Sequence, residues 1–252
     1  MRSRAPPALC GALDALQQIS GGLMHVGIIG GIGPAATELY YRGLVQAHKL
    51  AGKPLALTIV HADVSVLMTN LLAGNAQTQA EIFLEHIMQL RAGGAEEVAI
   101  SALAGHFCLP HVLEHSPIPI INALNAIDRH LEQERIGRVG VLGTGPIMES
   151  KLFGGLRSTE VVVPDETDIK QVQETYAAMA RSGTASESQR RYLFDVGKRL
   201  CDHDGAEAVL LAGTDLFLAF EGQAPGFTTI DCAEVHIKAI ANRSLETRNQ
   251  RT

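Results

Sequence analysis

Residues 25–34 read His-Val-Gly-Ile-Ile-Gly-Gly-Ile-Gly-Pro. The short apolar run at 26–29, bounded by glycines, predicts a buried strand running into a glycine turn. Pro34 stands where a helix begins, because a missing N–H costs nothing at the first helical position. Residues 35–47 are expected to continue that helix. The same alternation goes on downstream. Residues 55–61 read as a second strand, 98–102 as a third and 118–121 as a fourth. Between them, 77–92 reads as an amphipathic helix with Ile82, Phe83, Ile87 and Leu90 on its apolar stripe. Strands alternating with helices predict an α/β fold with parallel sheets.

The second half repeats the first. Gly94-Ala95-Glu96-Glu97-Val98 recurs as Gly205-Ala206-Glu207-Ala208-Val209, and position 205 lies 111 after position 94. Val26-Gly27-Ile28-Ile29-Gly30 recurs as Val139-Gly140-Val141-Leu142-Gly143, 139 lying 113 after 26. Two unrelated segments with nearly one offset imply two similar units of about 110 residues, one domain each. The seam is expected within 123–138, where charge rises. The expected division is 24–125 with 228–252 as a first α/β domain closed by a returning C-terminal helix, and 126–227 as a second. Residues 1–23 carry Arg2, Arg4 and two prolines without the continuous apolar stretch of a signal peptide, and are expected to be an extension outside the fold.

The chain has 252 residues, enough to bury a core without disulfides or metals. Its net charge of −6 argues against a nucleic-acid partner, and no Trp with 4% aromatic residues leaves little for base stacking. No run approaches the length of a membrane span, so no membrane partner is expected. Cys10, Cys108, Cys201 and Cys232 are scattered without a CxxC pair and read as reduced thiols of a cytoplasmic protein.

Parallel α/β sheets place ligands at the carboxyl ends of their strands. Here those ends are Gly31-Ile32-Gly33, Ser101-Ala102-Leu103, Thr144-Gly145 and Gly213-Thr214-Asp215. Two pseudo-symmetric units facing each other bring them to one cleft, the default active site for a small molecule.

At these residues the sequence resembles the aspartate/glutamate racemase superfamily, over about residues 24 to 240. The resemblance rests on Gly27-Ile28-Ile29-Gly30-Gly31-Ile32-Gly33-Pro34, on Leu142-Gly143-Thr144 followed by Met148-Glu149, and on Gly213-Thr214-Asp215-Leu216. It implies two flavodoxin-like domains, an active-site cleft between them, chemistry at an α-carbon without pyridoxal phosphate or any other cofactor, no metal, and a homodimer. The family works with two cysteines, one on each face of the substrate. Aligned on His106, the first falls on Ala102, in a run Ala102-Leu103-Ala104-Gly105-His106 where the family has Cys-Asn-Thr-Ala-His. The second falls on Gly213. Alanine and glycine transfer no protons, so racemisation through those two positions is excluded.

Other groups must then handle protons. Asp215 and Thr214 follow the second lost thiol at a strand end; an aspartate in a closed cleft can serve as base, or it can cap a helix. His106 can act near neutral pH or support the fold. Cys108 is a candidate thiol or a small buried hydrophobe. The candidate catalytic set is Asp215, His106, Cys108 and Thr214, and the candidate binding set is Ile32, Gly33, Ser101, Ala102, Leu103, Thr144 and Gly213. His106, Cys108, His111 and His115 have zinc-ligand character, but Pro110 interrupts them, and no metal site is assigned. Cys232 and His236 read as core of a final helix. Gly30-Gly31-Ile32-Gly33 does not fit a dinucleotide fingerprint and reads as backbone approaching a small carboxylate. Asp63 would repel an acidic substrate if it faced the cleft.

The first functional reading is a racemase-family enzyme acting at the α-carbon of an amino-acid-like or small carboxylate substrate with altered acid/base residues. One-faced isomerisation, elimination or decarboxylation is its variant. The second is a binding protein that keeps the cleft and has lost the chemistry.

Overall fold

The computed structural model describes residues 22–246. The extension expected at 1–23 lies outside these apart from Gly22 and Leu23, and so does Cys10. The first sheet has β1 (His25–Gly30) at its centre, flanked in parallel by β2 (Ala56–His61) and β3 (Glu97–Ile100). Around it lie α1 (Pro34–Ala51), α2 (Val64–Leu72), α3 (Ala76–Ala92), a 3-10 turn at Leu103–Cys108 and α4 (Leu109–His115). Pro34 opens α1, and Gly52 ends it in the left-handed conformation at φ 62°.

The fourth strand expected at 118–121 shrinks to one bridge, Val98 to Ile120. Val98 N donates to Pro119 O at 3.0 Å and Ile121 N donates to Val98 O at 2.7 Å. Pro117 and Pro119 carry no N–H, so the ladder does not extend.

The second sheet runs β5-β4-β6-β7, all parallel: β4 (Arg138–Gly143), β5 (Glu160–Val162), β6 (Ala208–Ala212) and β7 (Thr229–Asp231). Its helices are α5 (Ala123–Gln133), α6 (Gly145–Glu149), α7 (Glu166–Ser182), α8 (Glu187–Asp202), α9 (Phe217–Phe220) and α10 (Cys232–Leu245), with 3-10 turns at Leu152–Gly154 and Thr214–Leu216.

The repeated segments do the same job twice. A Cβ on Gly27 would meet Ala95 Cβ at 3.0 Å and Leu90 Cδ1 at 3.1 Å. A Cβ on Gly140 would meet Leu200 Cδ1 at 3.0 Å and Ala206 Cβ at 3.5 Å. In each unit a bare central strand lets the preceding helix and the Gly-Ala-Glu turn close onto the sheet.

The two units also exchange helices. α5 leaves the first sheet, yet its Leu124, Ile127 and Leu131 belong to the buried cluster of the second sheet with Val139, Val141 and Leu210. α10 leaves the second sheet, and its Ala233, Ile237, Ile240 and Ala241 pack with Val26, Ile28, Tyr40 and Leu44 of the first. Burying each helix's apolar stripe on the other unit's sheet holds the strand ends of both units at one place.

Candidate active site between the two sheets

A small cavity, about 60 Å³, lies where the carboxyl ends of β3, β4 and β6 converge. Ser101, Ala102, Leu103 and Ala104 line it from the first unit, and Thr144, Gly213 and Thr214 from the second. Tyr40, Tyr176 and Cys232 complete the polar wall. The structure thus brings together six expected residues: Ser101, Ala102, Leu103, Thr144, Gly213 and Thr214.

Ser101 is fully buried and its hydroxyl donates to Ile29 O at 3.0 Å, which leaves it only as an acceptor toward the cavity. Thr144 Oγ1 is different: it is buried and has no hydrogen-bond partner among the described residues. Asp215 is half-buried and is not on the cavity wall; it is one hydrogen bond away, accepting at 2.8 Å from Tyr176 Oη. Burial, and then the Asp215 charge, raises the Tyr176 phenol above its ordinary pKa.

The structure does not bring His106 or Cys108 to the cavity. The 3-10 turn at Leu103–Cys108 folds both inward, away from it. His106 Nδ1 donates to Ala102 O at 3.1 Å, and its Nε2 accepts from Ala123 N at 3.4 Å, so both ring nitrogens are engaged. Burial pushes its pKa down to about 4. The Cys108 thiol is wholly buried in the first core, donates to Gly105 O at 3.3 Å, and is pushed up to about 12 by burial. A neutral, enclosed thiol is neither nucleophile nor base.

Ile32 and Gly33 also stand off the cavity wall. Ile32 is buried in the first core. Gly33, at φ 109°, faces across to the second unit; a Cβ there would stand 4.0 Å from Thr214 Oγ1. The glycine turn expected to meet a carboxylate is closed on its own chain. Gly31 N donates to Thr37 Oγ1 at 2.8 Å, and a Cβ on Gly31 would collide with the His61 ring. Asp63 caps α2, accepting from Ser65 N at 2.7 Å, and the Ser65 hydroxyl and these backbone donors hold its carboxyl below the usual range.

Behind the cavity, Tyr40 Oη donates to His236 Nδ1, and His236 Nε2 donates to Ile121 O at 2.8 Å. Burial pushes His236 down to about 3 and raises the phenol of Tyr40. Cys232 is raised well above its usual value by burial and by Asp231. His111 and His115 are exposed while His106 and Cys108 are buried, so these four do not converge. Among the described residues no group of three or more His, Cys, Asp or Glu is placed to hold a metal, and no helix is long and apolar enough to cross a membrane.

Sequence reasoning missed Tyr40 and Tyr176. A signal existed: Tyr176 falls seven residues after Ile169 and four after Val172, and Tyr40 four after Ala36, all on inward faces. A second depression of about 780 Å³ lies between α5 and α10 along β7, and shares no lining residue with the cavity. Its cations Arg129, Lys238 and Arg243 are mixed with Glu97, Asp231 and Glu234, and none of the expected site residues reaches it.

Two units built on parallel sheets, with their strand ends facing one cavity, define the class of α/β folds that carry a site between halves. The model of the Asp/Glu/Hydantoin racemase family matches residues 29–240, and the chain belongs to that family. No curated protein matches it in sequence. Among solved structures it is similar to a candidate Asp/Glu racemase from Yersinia pestis, with 22% identity, a TM-score of 0.78, and coverage of 89% of this chain and 100% of that one. It is similar to an aspartate racemase homologue from Pyrococcus horikoshii, with 21% identity, a TM-score of 0.76, and coverage of 89% and 100%. An aspartate racemase from Picrophilus torridus gives 18% identity, a TM-score of 0.68, and coverage of 90% and 96%. These likenesses establish two flavodoxin-like halves and a racemase-type fold.

Proposed function

We propose that the chain catalyses proton transfer on one face of the α-carbon of a small carboxylate or amino-acid-like substrate, held in the cavity between its two units and needing no organic cofactor. The observation that carries this reading is the unpartnered Thr144 hydroxyl. A buried polar group left without a partner costs about 1–3 kcal/mol, which a ligand oxygen arriving at the cavity would recover. Thr144 would donate to a carboxylate or enolate oxygen and stabilise the charge that develops there. Thr214 adds a second hydroxyl on the same wall. Asp215 supplies the carboxylate on which the substrate proton ends.

The reaction is one-faced because the Ala102 end carries no proton-transferring side chain. Isomerisation, elimination or decarboxylation fits that arrangement as well as a racemase-type reaction with altered acid/base residues. The cavity is far below the roughly 300–1,000 Å³ of an ordinary ligand site, so substrate entry requires the two units to part. A binding-only reading is favoured by the same empty strand ends, and the test separates them. The protein is incubated in D2O with amino acids, hydantoins and small dicarboxylates, and deuterium at the α-carbon is followed by NMR. The reading predicts exchange or product with at least one compound, and a drop of about tenfold or more in Thr144→Val, as one lost charge-stabilising hydrogen bond costs. Thermal stabilisation by a compound with no exchange from any of them would transfer the case to binding alone.

A further inference from the structure

We propose that Tyr176 is the catalytic acid/base residue of this site, passing the substrate proton to Asp215. This rests on the proton-transfer reading above and names the group that performs it. Three observations carry it. First, Tyr176 lines the cavity whereas Asp215 does not, and its hydroxyl is the link between them at 2.8 Å. Second, its ring fills the space over Gly213: a Cβ there would meet Tyr176 Cε2 at 2.6 Å and Oη at 3.3 Å. Gly213 has φ −163°, extended backbone that any residue adopts, so its bareness answers to the ring and not to the chain. The phenol oxygen therefore stands beside the strand-end position from which a side chain at 213 would have reached a substrate. Third, Thr214 lines the same cavity as Tyr176, and the Asp215 carboxylate holds the phenol's orientation through its hydroxyl.

The direction of the hydrogen bond decides the role. The phenol's own proton points at Asp215 Oδ2, so Oη offers a lone pair to the cavity. The α C–H bond breaks, its electron pair stays on carbon and delocalises into the substrate carboxylate or carbonyl, and the proton forms a new O–H at Tyr176. In concert the original phenol O–H breaks and a proton forms a bond to Asp215 Oδ2. Tyr176 begins and ends neutral, and Asp215 ends protonated; the reverse sequence returns a proton to the same face. Because the relay passes through no free phenolate, burial of the phenol does not obstruct it. Asp215 is the positioning partner and proton store.

The test uses the full chain and a compound that exchanges with the wild type. Tyr176→Phe keeps the ring over Gly213 and removes the hydroxyl. The expected result is a fall in kcat of about 10²-fold or more, the scale of general acid–base catalysis, with KM and melting temperature little changed. Asp215→Asn is expected to lower kcat comparably, with KM little changed. In mixed H2O/D2O the wild-type deprotonation rate is expected to show a solvent isotope effect linear in deuterium fraction, the mark of the one solvent-derived proton on the phenol, and an α-deuterated substrate is expected to slow the same step. If Tyr176→Phe does not fold, Asp215→Asn and the isotope effects carry the test. Wild-type exchange with Tyr176→Phe within threefold of it, or no solvent isotope effect on the deprotonation, overturns this proposal and leaves the one-faced reading standing. No exchange by the wild type with any compound overturns both.

Discussion

The hydroxyl of Tyr40 meets His236 Nδ1 at 2.9 Å, joining two residues 196 positions apart in the chain. Through His236 Nε2 the contact reaches Ile121 O, so one ring ties the first helix, the last helix and the edge of the first sheet together. Tyr40→Phe removes the donor and leaves a buried ring nitrogen unpaired, at a cost of about 1–3 kcal/mol. Chemical denaturation is expected to show that loss with an unchanged m-value. Stability equal to the wild type would mean that His236 finds another partner.

Acid should loosen the fold as two buried imidazole rings take up protons. Burial holds His106 down to about 4 and His236 down to about 3, while both revert to about 6.5 when unfolded. Between those values the unfolded chain binds more protons than the folded one, so stability rises with pH. The contribution is complete above about 6.5 and is lost as the pH falls toward the folded values, at up to about 1.4 kcal/mol per pH unit for each ring. Melting temperature is expected to fall from about pH 7 to about pH 5, and less steeply in His236→Gln. A flat profile would count against two buried neutral rings.

Gly213→Ala places a methyl group against the Tyr176 ring. We expect a destabilisation of about 1–3 kcal/mol from overpacking and a loss of activity as the phenol shifts from Asp215. In Tyr176→Ala the same methyl group meets open space, so Gly213→Ala should then cost almost nothing. A double-mutant cycle measures this coupling, and additivity of the two changes would contradict the contact.

Leu131 tests the helix exchange. It sits on α5, after the first sheet, and is fully buried in the core of the second. Leu131→Ala is expected to cost about 2–5 kcal/mol. Native-state hydrogen exchange should show the loss of protection centred on β4 and β6. Loss centred on β1 would place α5 on its own unit instead.

Much of this was legible from local pattern. The run at 25–30, the glycine turn and Pro34 specify a strand and a helix start through nearest-neighbour sterics alone. The twin offsets mark the two units, and Gly27 with Ala95, Gly140 with Ala206, give the physical reason for the repeat. Residues 118–121 misled because apolar, β-branched composition suggests a strand, while two prolines remove the donors that a strand needs. His106 and Cys108 misled for another reason. Their proximity to a strand end is visible in spacing, but the side on which a 3-10 turn presents each side chain is not.

The sequence by itself determined β1 to β3, the recurrence of their pattern in the second unit and the two strand ends that hold Ala102 and Gly213, because those features depend on residues close in the chain. Only the tertiary structure decided which groups stand in the cavity. Tyr176 reaches Gly213 and Asp215 from a helix nearly forty residues upstream, and among the described residues the packing leaves the Thr144 hydroxyl without a hydrogen-bond partner. Such meetings are fixed by how each helix seats on a sheet, a non-local balance of burial and shape that no short stretch of sequence contains.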